Sequence, residues 1–124
     1  MCIRDRAAAT PTYAYEFADR TAPNLYAVTP DFPLGAYHGS DVLYQTRPAG
    51  LPLNAAQARL SDRMLSYWAR FAARSDPNGP GTPRWDRFTT AHPVVQTLDL
   101  GRVAGSTDFE TRHHCGFWAE LAGS

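Results

Sequence analysis

Four histidines, His38, His92, His113 and His114, are the side chains of this 124-residue chain that titrate near neutrality without help from their surroundings. Their neighbours decide what chemistry each could do. His92 stands before Pro93 in a polar loop and is expected to be solvated. His113, His114 and Cys115 form a run that invites a metal reading. Adjacent residues on a helix, however, point about 100° apart and cannot close on one ion, whereas HExxH-type sites use positions i and i+4. Neither histidine has a carboxylate four residues after it, while Glu110 precedes both by about one turn. A helix-face contact with Glu110 is therefore expected, and no metal.

His38 has a different setting. It lies in Gly35-Ala36-Tyr37-His38-Gly39, a small-residue loop beyond a strand-like segment, where glycines permit sharp turns and close approach of another chain segment. A general base needs that access, with one ring nitrogen facing a nucleophile and the other held by a carboxylate. From the residues alone an ordinary loop histidine is the commoner outcome. Ser40 is too close along the chain to present its hydroxyl to the ring, and no G-x-S-x-G nucleophile elbow occurs in the sequence. Asp41 could orient the ring, but at the start of a helical turn its default role is to cap backbone N–H groups. The catalytic set is incomplete.

Several elements would have to position these residues. Thr12-Tyr-Ala-Tyr-Glu-Phe puts Tyr13, Tyr15 and Phe17 on one face of a strand that Asp19 ends. A loop with Pro23, Pro30 and Pro33 leads to the His38 segment, and Val42 to Tyr44 form a helical turn begun by Ser40 or Asp41. A helix is expected from about Ala55 to Ala73, with Asn54 and Gln57 as a capping box and Leu60, Met64, Tyr67, Trp68 and Phe71 as its apolar stripe. Ser75 to Gly81 breaks it. Trp85 reads as a loop indole plugging the surface of a larger body. Val94 to Leu100 is a short strand with Gln96, Leu98 and Leu100 on one face, and Phe109 to Leu121 is a terminal helix with Thr107 and Glu110 in capping-box register.

Two strands and two long helical stretches are too few partners for the aromatic stripes, since about three strands with a buried face are the usual requirement for independence. The chain therefore reads as an incomplete α/β piece, loose and prone to aggregate by itself. Twelve basic and twelve acidic residues are scattered, so no face for nucleic acid is expected. Apolar runs fall far short of the roughly 20 residues of a membrane-spanning helix. No signal-type apolar stretch opens the sequence, and localisation is left open. Met1 to Arg6 differ in character from the rest of the chain and read as a non-native scar, leaving residues 7–124 as the segment of interest.

Tyr15-Glu-Phe-Ala-Asp19, Gly35-Ala-Tyr-His-Gly-Ser-Asp41-Val, Met64 with Tyr67-Trp68 and Phe71-Ala72, Ser75-Asp-Pro-Asn78, Trp85 and Cys115-Gly-Phe-Trp118 succeed one another in that order. In this the chain resembles the C-terminal part of type-B carboxylesterases, a family that includes bacterial p-nitrobenzyl esterase-like enzymes and the cholinesterases. The resemblance covers residues 12–118. It implies the C-terminal portion of an α/β-hydrolase fold: last major strand, histidine loop, long helix, short strand, terminal helix. It also implies chain order serine, acid, histidine. His38 then matches the catalytic histidine, taking the serine proton during attack on an ester carbonyl and returning it to the leaving alcohol. Asp41 matches an acidic position behind the site and is a support, not the triad acid.

The serine, the acid and the oxyanion glycines of such enzymes lie upstream of the matching segment. The implied partners are a small carboxylic ester and the N-terminal part of the same fold, with no cofactor. Some relatives pair the cysteine matching Cys115 with an upstream one; here Cys115 is expected to be unpaired. The chain alone is expected to be inactive. Two alternatives stand beside this reading. One is a segment of a cholinesterase-like adhesion protein that has lost its triad, and the other is a free-standing small domain.

Overall fold

The structure is a computed structural model that describes residues 9–26 and 30–123. The suspected scar at residues 1–6, and Cys2 within it, lie outside the described residues. Strand β1 spans Ala14–Phe17, helix α1 Val42–Thr46, helix α2 Ala55–Arg74, strands β2 and β3 Val95–Leu98 and Val103–Ser106, and helices α3 and α4 Phe109–Arg112 and Cys115–Ala122.

The strands form one sheet in the order β1-β2-β3, with β1 parallel and β3 antiparallel to β2. Alternation along β1 sorts its side chains between the two faces. Tyr13, Phe17 and, from β2, Leu98 pack with Leu60, Met64 and Tyr67 of α2, while Ala14 and Val95 meet Phe88 and Phe109 on the other face. Helix α2 therefore covers one side of the sheet and the start of the terminal helices covers the other.

The capping box of α2 is present as expected: Asn54 Oδ1 accepts from the Ala56 and Gln57 amides at 2.9 and 3.0 Å, and Gln57 Oε1 accepts from the Asn54 amide at 3.0 Å. The helix ends at Ser75, whose φ of 57° is left-handed and whose amide returns to Phe71 O at 2.7 Å. Beyond it, Asn78 clamps the Trp85 backbone, accepting from its amide at 2.7 Å and donating to its carbonyl at 2.9 Å. That clamp delivers the indole into the core. Trp85 is only 4% exposed and donates from Nε1 to Ala14 O at 3.0 Å, so it is an internal residue of this chain and not a surface plug.

Three further expectations are corrected. A third strand, β3, adds to the sheet: Asp99 and Arg102 close a tight turn, the Asp99 amide donating to Arg102 O at 3.1 Å, and Val-Ala-Gly-Ser pairs back on β2. The terminal helix is two helices, because His114 sits at φ 50° and breaks the run. At its start, Asp108 is the N-cap and makes no side-chain capping bond, so the Thr107–Glu110 capping box does not form.

Candidate functional site

His38 occupies the corner of a four-residue turn, Tyr37 to Ser40, closed by the Ser40 amide on Tyr37 O at 3.1 Å. Gly39, the third residue, has φ 84°, the left-handed value a type II turn requires at that position and that glycine adopts freely. The His38 side chain is exposed at this corner. Both flanks are fixed. On the entering side, the Tyr37 hydroxyl donates to Pro23 O at 2.6 Å and accepts from the Leu25 amide at 2.9 Å. On the leaving side, buried Ser40 donates from Oγ to Tyr37 O at 2.7 Å, which commits the hydroxyl to the turn and removes it as a nucleophile for His38.

Asp41 does not cap α1. It occupies the N-cap position with helical φ and ψ of −64° and −27° and no side-chain capping bond. Its Oδ2 instead accepts from the Tyr15 hydroxyl of β1 at 2.9 Å, with Gln45 Nε2 at 3.5 Å. Burial, and then the bond to Asp41, push the Tyr15 phenol up to about 12. Asp41 thus follows directly on the His38 turn, but its carboxylate is turned to β1.

Behind the turn lies a carboxylate that the sequence marked only as a strand end. Asp19 is 1% exposed and accepts from the Thr21 amide at 2.8 Å, Thr21 Oγ1 at 2.7 Å, Gln57 Nε2 at 3.2 Å and the Tyr44 hydroxyl. Burial acts to raise its pKa, but these donors outweigh it and hold the carboxyl below the usual range. Burial and the facing Asp19 charge raise the Tyr44 phenol.

The histidine pair is split by the helix break. His113 Nε2 lies 2.9 Å from Glu16 Oε1, and Arg112 donates to Glu16 Oε2 at 2.8 Å, so the carboxylate bound to His113 comes from β1. Burial would raise the Glu16 carboxyl, yet Arg112 and His113 together lower it. Among the described residues no group of three or more His, Cys, Asp or Glu side chains could hold a metal ion. His92 is exposed, and Cys115 is half-buried.

The sheet, its flanking helices and the turn between β1 and α1 form part of an α/β-hydrolase fold. An esterase from the anaerobe Clostridium hathewayi, described as able to hydrolyze aliphatic aromatic polyesters, shares it with a TM-score of 0.69 at 23% identity, over 89% of this chain and 21% of that one. A thermophilic PNB esterase gives 0.66 at 18% identity, over 90% and 23%. The carboxylesterase family model matches residues 2–118, and the chain belongs to that family. Its relatives include carboxylesterase 1E of Mus musculus, 30% identical over 122 residues, and a medium-chain fatty acyl-CoA hydrolase precursor of Anas platyrhynchos, 30% identical over 118. Each match covers 94% of this chain and 20% of the relative. The cocaine esterase of Oryctolagus cuniculus is 35% identical over 82 residues, 63% of this chain and 15% of that protein.

Proposed function

We propose that this chain carries the general base of a serine carboxylic-ester hydrolase, His38, and that Asp41 supports the site from behind. The observation that supports this best is the mounting of His38: an exposed imidazole at a glycine-shaped corner, anchored on both flanks, in a chain of the carboxylesterase family. His38 takes the proton of a serine hydroxyl as it attacks the ester carbonyl and returns it to the leaving alcohol; water repeats the cycle on the acyl-enzyme. The serine, the triad acid and the oxyanion donors come from the remainder of the fold, since the chain spans about a fifth of the length of the curated relatives named above.

The β1 edge supports that partnership. The Ala18 amide donates to Leu98 O, which turns the even residues of β1 to β2 and directs the backbone groups of Tyr13, Tyr15 and Phe17 away from it. An aromatic hollow of about 320 Å³ lies beside them, lined by Tyr13, Tyr15, Tyr67, Trp68, Phe71 and Trp85.

The chain alone holds at most one of the three parts that acyl transfer needs and has no turnover. Assay with p-nitrophenyl acetate and a fluorophosphonate label tests this: saturable hydrolysis abolished by His38→Ala would overturn it. Reading the gene upstream of the Ala7 codon tests the parent. A G-x-S-x-G elbow in the same frame supports the hydrolase, and another residue in place of its serine supports the adhesion protein.

A further inference from the structure

Asp19 receives hydrogen bonds from three separate segments of the chain. Thr21 opens the stretch whose Pro23 carbonyl and Leu25 amide hold the Tyr37 hydroxyl. Tyr44 lies in α1, the helix that leaves the His38 turn, and its carbonyl accepts a further bond from Ser61 of α2. Gln57, itself half of the α2 capping box, reaches both Asp19 and Thr21 O, the latter at 3.0 Å. The entering and leaving flanks of the turn are therefore tied to one buried carboxylate, although Asp19 does not touch His38.

A buried charge is a poor way to gain stability, because well-packed apolar residues of similar volume commonly do as well or better. What such a charge imposes is geometry: each donor must reach a fixed acceptor. Apolar side chains in place of Asp19, Tyr44 and Gln57 could fill the same volume, but only a shared acceptor fixes α1 relative to the stretch that holds Tyr37.

We propose that Asp19 is the positioning residue of the His38 turn, setting the direction of the imidazole by fixing both flanks of the turn on one carboxylate. This rests on the reading of His38 as the base, but its test requires no turnover.

In the isotope-labelled chain, Tyr44→Phe removes a single hydroxyl and leaves the other donors to Asp19 in place. The Ser40, Val42 and Leu43 amides then exchange about tenfold faster, the scale of one lost charge-assisted hydrogen bond, while those of Met64 and Tyr67 hold within about twofold. The His38 ring Cε1–H resonance shifts or splits with them. Asp19→Asn, which places an N–H₂ where Tyr44 and Gln57 donate, gives the same local pattern more strongly. An unmoved His38 resonance in Tyr44→Phe, a loss of protection shared evenly with α2, or a native chain with no protected turn overturns the proposal. Should Asp19→Asn fail to fold, Tyr44→Phe decides alone. The esterase and labelling assays fail or succeed separately, so a parent without hydrolase activity would leave this result standing.

Discussion

The Tyr15 hydroxyl donates to Asp41 Oδ2 at 2.9 Å, joining the middle of β1 to the residue that follows the His38 turn. Burial and this bond both favour the protonated phenol. Because the folded-state pKa is raised, the associated stability is fully present below the ordinary tyrosine value of about 10 and is lost as pH rises through the folded value. Spectrophotometric titration at the phenolate band, compared with Tyr15→Phe, is expected to show one tyrosine ionising at about 12. Asp41→Asn brings that step down without restoring the ordinary value, since burial is the larger cause. A Tyr15 step that Asp41→Asn leaves unmoved would show that the bond does not form.

Glu16 carries the second long-range tie, holding Arg112 and His113 against β1. Its carboxyl is lowered, so its contribution is present above the ordinary carboxylate range and disappears as pH falls through the folded value; Asp19 acts in the same direction. Arg112 and His113 are both well exposed, so the tie is weak, and Glu16→Gln is expected to cost about 1 kcal/mol. Denaturant melts from pH 7 down to pH 3, values set by the usual carboxylate range of about 4, should show the variant losing less stability on acidification than the native chain. Equal acid sensitivity in the two would contradict the assignment.

Features that were legible in the sequence depend on local rules. The α2 capping box and the Ser75 stop need only neighbours three or four residues apart, and β1 announces itself by aromatic alternation. Strand β3 was hidden because Val-Ala-Gly-Ser has little strand character, and a hairpin partner supplies what its composition lacks. The break at His114 lies in a backbone angle that no side-chain pattern signals. Trp85 looked like a surface plug because the Asn78 clamp that turns it inward depends on loop geometry. For the site, resemblance singles out His38 and its glycine loop is readable, whereas Tyr15, which donates to Asp41, and Tyr44 and Gln57, which donate to Asp19, lie 25 or more residues away and are brought there by tertiary packing.

The turn itself tests the role of Gly39. At φ 84° an alanine is strained, and since nothing lies within 4 Å of the added Cβ the penalty is one of conformation and not of crowding. Gly39→Ala is expected to cost about 1–2 kcal/mol. Gly116→Ala, in α4 and also facing open space, should be neutral or stabilising by up to about 1 kcal/mol. Thermal melts of the two variants side by side separate backbone strain from any general intolerance of alanine; equal behaviour would mean that the Gly39 turn is not as described.

The aromatic hollow beside β1 is open where the stripe of α2 runs out. Phe71 is 43% exposed at the end of the α2 stripe, although Leu60, Met64 and Tyr67 on the same helix are fully buried, so the stripe is covered at its start and open at its end. Phe71 is partly covered, meeting Tyr13 edge-on with ring centroids 5.8 Å apart, so its removal sacrifices less packing than removal of the fully buried Met64 or Tyr67. The chain is therefore expected to bind the dye ANS through this hollow. Phe71→Gln should lower the fluorescence while leaving helical circular dichroism in place. Met64→Gln, which puts a polar group into the core, should do the reverse, raising dye binding as packing loosens. Dye fluorescence unchanged in Phe71→Gln would place the exposed apolar surface elsewhere, with Phe117, Trp118 and Leu121 of α4 as the next residues to replace.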